Sequence, residues 1–177
     1  MTEVAAGQAP QPRVSRLGKL AYALAAAVIV VDQLSKYWVL EVFRLPERLQ
    51  AEVLPFFYLT MVWNRGVSFG LLQAEVDLAR WGLALFSTVV AVGLAVWARR
   101  VTRPWVAVAL GLIIGGALGN MIDRVRFGAV ADFLDFSRLL PFPWVFNVAD
   151  SAISIGVALL IVDSLRPQPK RADVSPH

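Results

Sequence analysis

Gly115-Gly116-Ala117-Leu118-Gly119-Asn120-Met121-Ile122-Asp123-Arg124 closes one apolar run, and Phe146-Asn147-Val148-Ala149-Asp150 opens another. Each sets an Asn-x-x-Asp unit against a stretch that carries almost no other charge. Pro104 to Ile122 is 19 uncharged residues, close to the roughly 20 that a helix needs to cross about 30 Å of hydrocarbon. Trp81 to Ala98 adds 18 uncharged residues, stopped by Arg99, Arg100 and Arg103. Leu20 to Leu40 is apolar and Ala-rich as far as Val31, then carries Asp32, Gln33 and Lys36. Phe146 to Val162 is broken only by Asn147, Asp150 and two serines. The expected fold is an all-α integral membrane protein with four spans, at about 20–40, 81–98, 104–122 and 146–162.

Composition agrees. Hydrophobic residues make up 58% of the 177 and charged residues 17%, against about 25% charged in soluble domains. A net charge of +4 could signal nucleic acid. That reading needs Lys and Arg clustered on one face with aromatics between them, whereas here they flank the apolar runs, so no nucleic-acid partner is expected. The chain has no Cys, and its one His is His177 in a polar tail. Thiol chemistry, a Ser-His-Asp triad and a His-based metal site are therefore not expected, and neither metal nor cofactor is called for. Arg13, Arg16 and Lys19 before an Ala-x-Ala-containing run also resemble a cleaved signal peptide. Cleavage at Ala25 or Ala27 would leave a short hydrophobic region, however, and the apolar character continues past it.

Four spans put both termini on one side of the membrane, with segments 41–80 and 123–145 on the other. Nine Lys and Arg fall on the terminal side and eight opposite. The nine sit in tight clusters at span ends, which favours cytoplasmic termini. In 41–80, the run Val53-Leu54-Pro55-Phe56-Phe57-Tyr58-Leu59-Thr60-Met61-Val62-Trp63 is aromatic and β-branched. It suits strands or an aromatic belt at the membrane surface. Asn64-Arg65-Gly66-Val67-Ser68-Phe69-Gly70 follows as a turn-like loop.

Helical spacing aims the acids. Gly111, Gly115, Gly119 and Asp123 recur every four residues, a small-residue stripe that allows close helix approach and should direct Asp123 into the bundle. On the last span Asn147, Asp150, Ser151, Ser154 and Ala158 are expected on one face, and on the first Asp32 and Lys36 can pair. Asp32 lies ~18 Å along the helix from Leu20, so all three acids fall in the same half of the membrane. A charge at mid-bilayer costs about 2.5–3.5 kcal/mol on insertion scales. Such acids need a reason. Two carboxylates that meet cannot both ionise easily and can share a proton. One then activates a water while the other protonates a leaving amine. Asp123 and Asp150 are the expected pair, with Asn120, Asn147 and Arg124 orienting the acids or binding substrate backbone. The competing structural reading makes them interfacial residues paired with Arg124 or Lys36.

From Leu20 to Leu165 the chain resembles the lipoprotein (type II) signal peptidases of bacterial inner membranes. Five stretches carry the resemblance in order: Asp32-Gln33-Leu34-Ser35-Lys36, Asn64-x-Gly66 with Phe69-Gly70, Gly115 through Arg124, Val130-Ala131-Asp132-Phe133, and Phe146 through Ser151. Val67-Ser68 and Ala131 depart mildly from the usual pattern. The resemblance implies an aspartic endopeptidase with Asp123 and Asp150 as its dyad. Asp32, Lys36, Asn64, Gly66, Asn120, Arg124, Asn147 and Ala149 would support the site or bind substrate. The implied substrate is a prolipoprotein signal peptide, cut just before a diacylglyceryl-modified Cys, in contact with membrane lipids. It also implies a small extracytoplasmic β-cradle and a short outer helix, consistent with strands in 41–70 and a helix near 132–139. The expected organisation is a peptidase domain at 17–165 between disordered cytoplasmic tails at 1–16 and 166–177, with the site near the outer leaflet. Nothing in the sequence sets the oligomeric state.

Three other readings compete. An ion-coupled transporter would also carry intramembrane acids, but these gather at one level and form no relay across. A Ser–Lys protease would use Lys36 with Ser35 or Ser68, yet Ser35 is adjacent to Lys36 and diverges from it on a helix. A scaffold without chemistry leaves the paired Asn-x-x-Asp units unexplained.

Overall fold

The computed structural model describes residues 14–66, 73–139 and 144–166. Helix α1 (Arg16–Tyr37) continues as a five-residue π-helical turn (Trp38–Val42), and the short α2 (Leu45–Arg48) follows. Strands β1 (Gln50–Leu54) and β2 (Phe57–Asn64) come next, then the long helices α3 (Gln73–Ala98) and α4 (Pro104–Phe127). Strands β3 (Val130–Asp135) and β4 (Val145–Phe146) precede the last helix, α5 (Val148–Leu165).

Helix α4 is the axle. In its most apolar window 67% of residues are buried, against 17–28% in the other three long helices, because α1, α3 and α5 all pack on it. Its glycines make this contact close. A Cβ on Gly115 would stand 2.7 Å from the Ala25 carbonyl oxygen of α1, and one on Gly116 would run into the Ala149 carbonyl of α5. The stripe read from the sequence is thus the α1-facing ridge, with Gly116 one residue round the helix serving α5. The lipid-compatible surface lies outside, where Val30, Val31 and Leu34, Leu85, Phe86 and Val89, and Ile155 and Ile161 are exposed. A membrane protein gains from this inversion, since lipid tails are as apolar as leucine.

Both ends of the bundle are tied. The Ser15 hydroxyl caps α1 by accepting from Gly18 N at 2.9 Å and donates to the Val101 carbonyl at 3.0 Å. Arg103 pairs with Asp163 near the end of α5. The start of α1, the α3–α4 turn and the end of α5 therefore share one end, as four crossings require. The sheet lies at the other end.

That sheet is antiparallel, in the order β1-β2-β3-β4. Its underside packs Val39, Leu45, Leu59 and Phe133 into a small core. Strands in 41–70 were expected and are present. The helix expected near 132–139 is not: Val130–Asp135 is β3, buried along most of its length and paired on both sides. A short helix would have left its polar backbone groups without those partners. The short outer helix is α2 instead. Gly128 (φ 80) ends α4 in the left-handed conformation, so the chain turns straight from α4 into β3.

Helix ends also differ from the apolar runs. Helix α3 starts at Gln73 rather than Trp81 and α4 runs to Phe127 rather than Ile122, because charge ends the hydrocarbon-compatible stretch and not the helix. Helix α5 starts after Asn147, whose side chain and Asp150 form a reciprocal capping box. Its inward face is Ala149, Ala152, Gly156 and Asp163. Of the residues expected on one face, Asn147 is buried, Asp150 and Ser151 are half-buried, and Ser154 and Ala158 are exposed. Close approach to α4 decides the face: a Cβ on Gly156 would stand 2.8 Å from the Ala109 carbonyl oxygen. The tails 1–13 and 167–177 and residues Val67 to Gly70 lie outside the described residues.

Candidate active site

Five elements bring polar side chains to the sheet end of the bundle. On α1, Asp32 and Lys36 sit one turn apart and are 0% and 2% exposed. Lys36 Nζ lies 2.8 Å from Asp32 Oδ2 and 2.7 Å from Asp123 Oδ2 of α4. The other Asp32 oxygen accepts from the Ala149 N–H at 3.0 Å, so Asp32 serves a free amide in the first turn of α5. Its carboxylate occupies the space beside Gly119, where a Cβ would be 2.7 Å from Asp32 Oδ2. Gln33, absent from the expected site, donates its amide to Asp123 Oδ1 at 3.0 Å and to Asp32 Oδ2 at 3.2 Å. The Ala131 N–H of β3 donates to Asp123 Oδ2 at 3.2 Å. Asp123 is therefore fully buried, ion-paired and held by two further donors. The pairing with Lys36 weighed for it exists, as an interior contact and not an interfacial one.

Asp150 sits differently. It is half-buried in the first turn of α5, where the helix dipole favours a negative charge. Its oxygens accept from Asn120 Nδ2 at 2.7 Å and from the Asn147 N–H at 3.3 Å. Asn147, fully buried, donates Nδ2 to Asp132 Oδ1 at 2.6 Å and to Asn120 Oδ1 at 3.1 Å. Asn64 Nδ2 holds the other Asp132 oxygen at 3.0 Å. The Asn64 amide oxygen accepts from the Gly66 N–H, and Gly66 takes φ 72, which a side chain would resist. That turn fixes the Asn64 side chain toward Asp132.

Asp132 and Asp150 thus share Asn147 as a hydrogen-bond partner. Burial first, and then the Asp150 charge, push the Asp132 pKa up to about 6, against the pull of Asn64, Asn147 and Lys36. Asp135, three residues on, shows the contrast. Burial would raise it, but Thr60, Ser137 and Arg138 hold it below the ordinary carboxylate value. The connection from Asp123 to Asp150 runs through Lys36 and Asn120. Arg124 is electrostatically coupled to Asp150, Asp132 and Asp123, and its buried Nε has no hydrogen-bond partner among the described residues. Arg80 of α3 holds the end of α4 by donating to the Arg124 and Val125 carbonyls at 2.6 and 2.8 Å.

Every site residue expected from the sequence is at this end: Asp32, Lys36, Asn64, Gly66, Asn120, Asp123, Arg124, Asn147, Ala149 and Asp150. Asp132 was noted only as part of a polar segment and a motif. Its signal was an acid within a buried, β-branched strand pattern directly after α4. Lys36 Nζ is engaged by two carboxylates and Ser35 Oγ donates to the Asp32 carbonyl at 2.7 Å, so the two do not pair as a Ser–Lys site would need. Ser68 lies outside the described residues. Among the described residues no three metal-ligating side chains come together.

A family model described as signal peptidase (SPase) II matches residues 24–166. A lipoprotein signal peptidase of Caulobacter vibrioides is 53% identical over 156 residues, covering 88% of this chain and 92% of that protein. One of Methylorubrum extorquens is 50% identical over 145 residues, covering 81% and 84%. Among solved structures, a bacterial membrane enzyme determined by the in meso method at 1.9 Å resolution superposes with a TM-score of 0.73 at 27% identity. That match covers 89% of this chain and all of the other.

Proposed function

The chain belongs to the signal peptidase II family and removes signal peptides from prolipoproteins; from that premise we propose that Asp132 and Asp150 are its catalytic dyad. The observation that carries this reading is the electrostatic one. The Asp150 charge acts on Asp132 as a like charge and the two share Asn147 as a partner, whereas Asp123 is ion-paired with Lys36, which it shares with Asp32.

Asp150, at a helix N-terminus and half exposed, acts as the base. It takes a proton from a water that attacks the scissile carbonyl before the lipid-modified Cys. Asp132 carries the proton of the pair and donates it toward the carbonyl oxygen as charge develops there. Collapse of the tetrahedral intermediate transfers a proton to the departing amine. The products are a signal-peptide carboxylate and a lipoprotein with a free Cys amine. Asn120 and Asn147 hold Asp150, Asn64 and Gly66 hold Asp132, and the Arg124 guanidinium meets substrate backbone. Asp32, Lys36, Asp123 and Ala149 lock α1, α4 and α5 in the relation the dyad needs.

The second reading keeps Asp123 as the partner of Asp150, as the two Asn-x-x-Asp units suggest. Turnover of a diacylglyceryl-modified lipobox peptide in detergent separates the two. Asp132→Asn and Asp150→Asn should each abolish cleavage while substrate still binds. Asp123→Asn should retain measurable turnover, because Asp32 and Lys36 remain paired. A dead Asp123→Asn beside an active Asp132→Asn would overturn the assignment. The enzyme is placed in the inner membrane, with cytoplasmic termini and the dyad near the outer leaflet; the clustered arginines at the terminal end support this orientation.

A further inference from the structure

The end of the bundle away from the dyad carries a second polar recess. The α3–α4 turn borders an open recess of about 160 Å³ lined by Trp97, Arg100, Val101, Thr102, Arg103 and Val106. Its volume equals about five waters, the size class of a phosphate with part of its glycerol. Two arginines, Arg100 and Arg103, are among its lining residues. Arg103 is held rigidly, ion-paired with the buried Asp163 and donating to its carbonyl at 3.1 Å. That pairing cancels the charge of Arg103. Arg100 is exposed, and no acid among the described residues pairs with it.

The level of the cavity identifies its occupant. It sits where two membrane-spanning helices end, which is headgroup depth. Trp97 and Trp105 are half exposed there, as interfacial aromatics are. The lining combines apolar Trp97, Val101 and Val106 with Thr102 and the arginines, which suits an ester-linked phosphate better than a free ion. Arg16 and Lys19 lie at the start of α1, whose Ser15 N–H donates to the Arg99 carbonyl. They add positive potential around the mouth.

We propose that this recess binds the phosphate of an anionic phospholipid, with Arg100 as the principal cation and Arg103, Thr102 and Trp97 shaping the site. The assignment is independent of which acids cleave the substrate. Basic pockets between membrane helices recognise anionic headgroups by this chemistry, and each arginine near the surface strengthens binding about fivefold.

Native mass spectrometry of the purified full chain in detergent tests it, using dioleoylphosphatidylglycerol and dioleoylphosphatidylcholine as probes. The wild type should retain one phosphatidylglycerol in preference to phosphatidylcholine. Arg100→Gln should weaken that preference about fivefold. Arg48→Gln, which removes an exposed arginine near the sheet, should leave it unchanged. Equal retention of the two lipids by the wild type would overturn the proposal. So would an equal loss in both variants, which would mean general charge attraction. Glycerol phosphate displacing the lipid at equal concentration would make the recess a soluble-anion site, and the lipid assignment would fall.

Discussion

Removing the Asn64 amide should move the pH dependence of cleavage without moving the catalytic groups. Asp132 titrates near pH 6 because burial and the Asp150 charge outweigh the hydrogen bonds it receives from Asn64 and Asn147. Asn64 contributes one of those bonds, at 3.0 Å to Oδ2. A hydrogen bond to a charged group is worth about 1.5–3 kcal/mol. Asn64 is exposed, so solvent screening points to the low end. At 1.36 kcal/mol per unit, about 1.5 kcal/mol corresponds to about one pKa unit. The bond stabilises the ionised form, so its loss raises the pKa. If Asp132 must be protonated to act as the acid, kcat/KM falls as pH rises through that pKa, and Asn64→Ala carries the alkaline limb upward by about one unit. The assay is kcat/KM of a fluorogenic diacylglyceryl lipopeptide from pH 4.5 to 9 in detergent, which reports on the free enzyme. The limb belongs to the coupled pair rather than to one residue, yet its direction of travel is unambiguous. A limb that stays in place or moves to lower pH in Asn64→Ala would refute Asp132 as the acid, whatever the change in peak rate.

Three further outcomes are expected. Gly119→Ala would set a Cβ 2.7 Å from the Asp32 carboxylate; overpacking of this kind costs about 1–3 kcal/mol, and a thermal midpoint in detergent equal to wild type would contradict it. Lys36→Met removes the cation between two buried carboxylates and should destabilise by about 3–5 kcal/mol, with Lys36→Met/Asp123→Asn recovering part of that loss in the same melt. Ser137→Cys, in a chain with no native cysteine, should label with a membrane-impermeant maleimide from outside the cytoplasmic membrane; labelling from the cytoplasm alone would invert the orientation.

The span pattern was legible because hydrocarbon imposes a simple test on sequence: length and absence of charge. That test reports where the apolar layer ends, and so it missed the eight residues by which α3 begins early and the last turn of α4. The glycine stripe was legible for the same reason, since a four-residue recurrence is a property of the chain alone. The strand at Val130–Asp135 was harder, because six residues become a strand when neighbours on both sides complete the ladder. The face of α5 that packs on α4 was not legible from spacing, because it is set by close approach at Gly156 rather than by the serines.

The sequence by itself determined that acids sit beside membrane spans, that small residues aim them inward, and which end of the bundle holds them. It could not determine which carboxylates face each other. Lys36 is 87 residues from Asp123 in the chain and 2.7 Å from it in space, and that contact is the ground on which we propose Asp132 rather than Asp123 as the partner of Asp150. The turn at Gly128 folds β3 back so that Asp132 meets Asn147 at 2.6 Å. Charge pairing acts through distance, and only the packing of α1, α4, α5 and β3 on one another sets those distances.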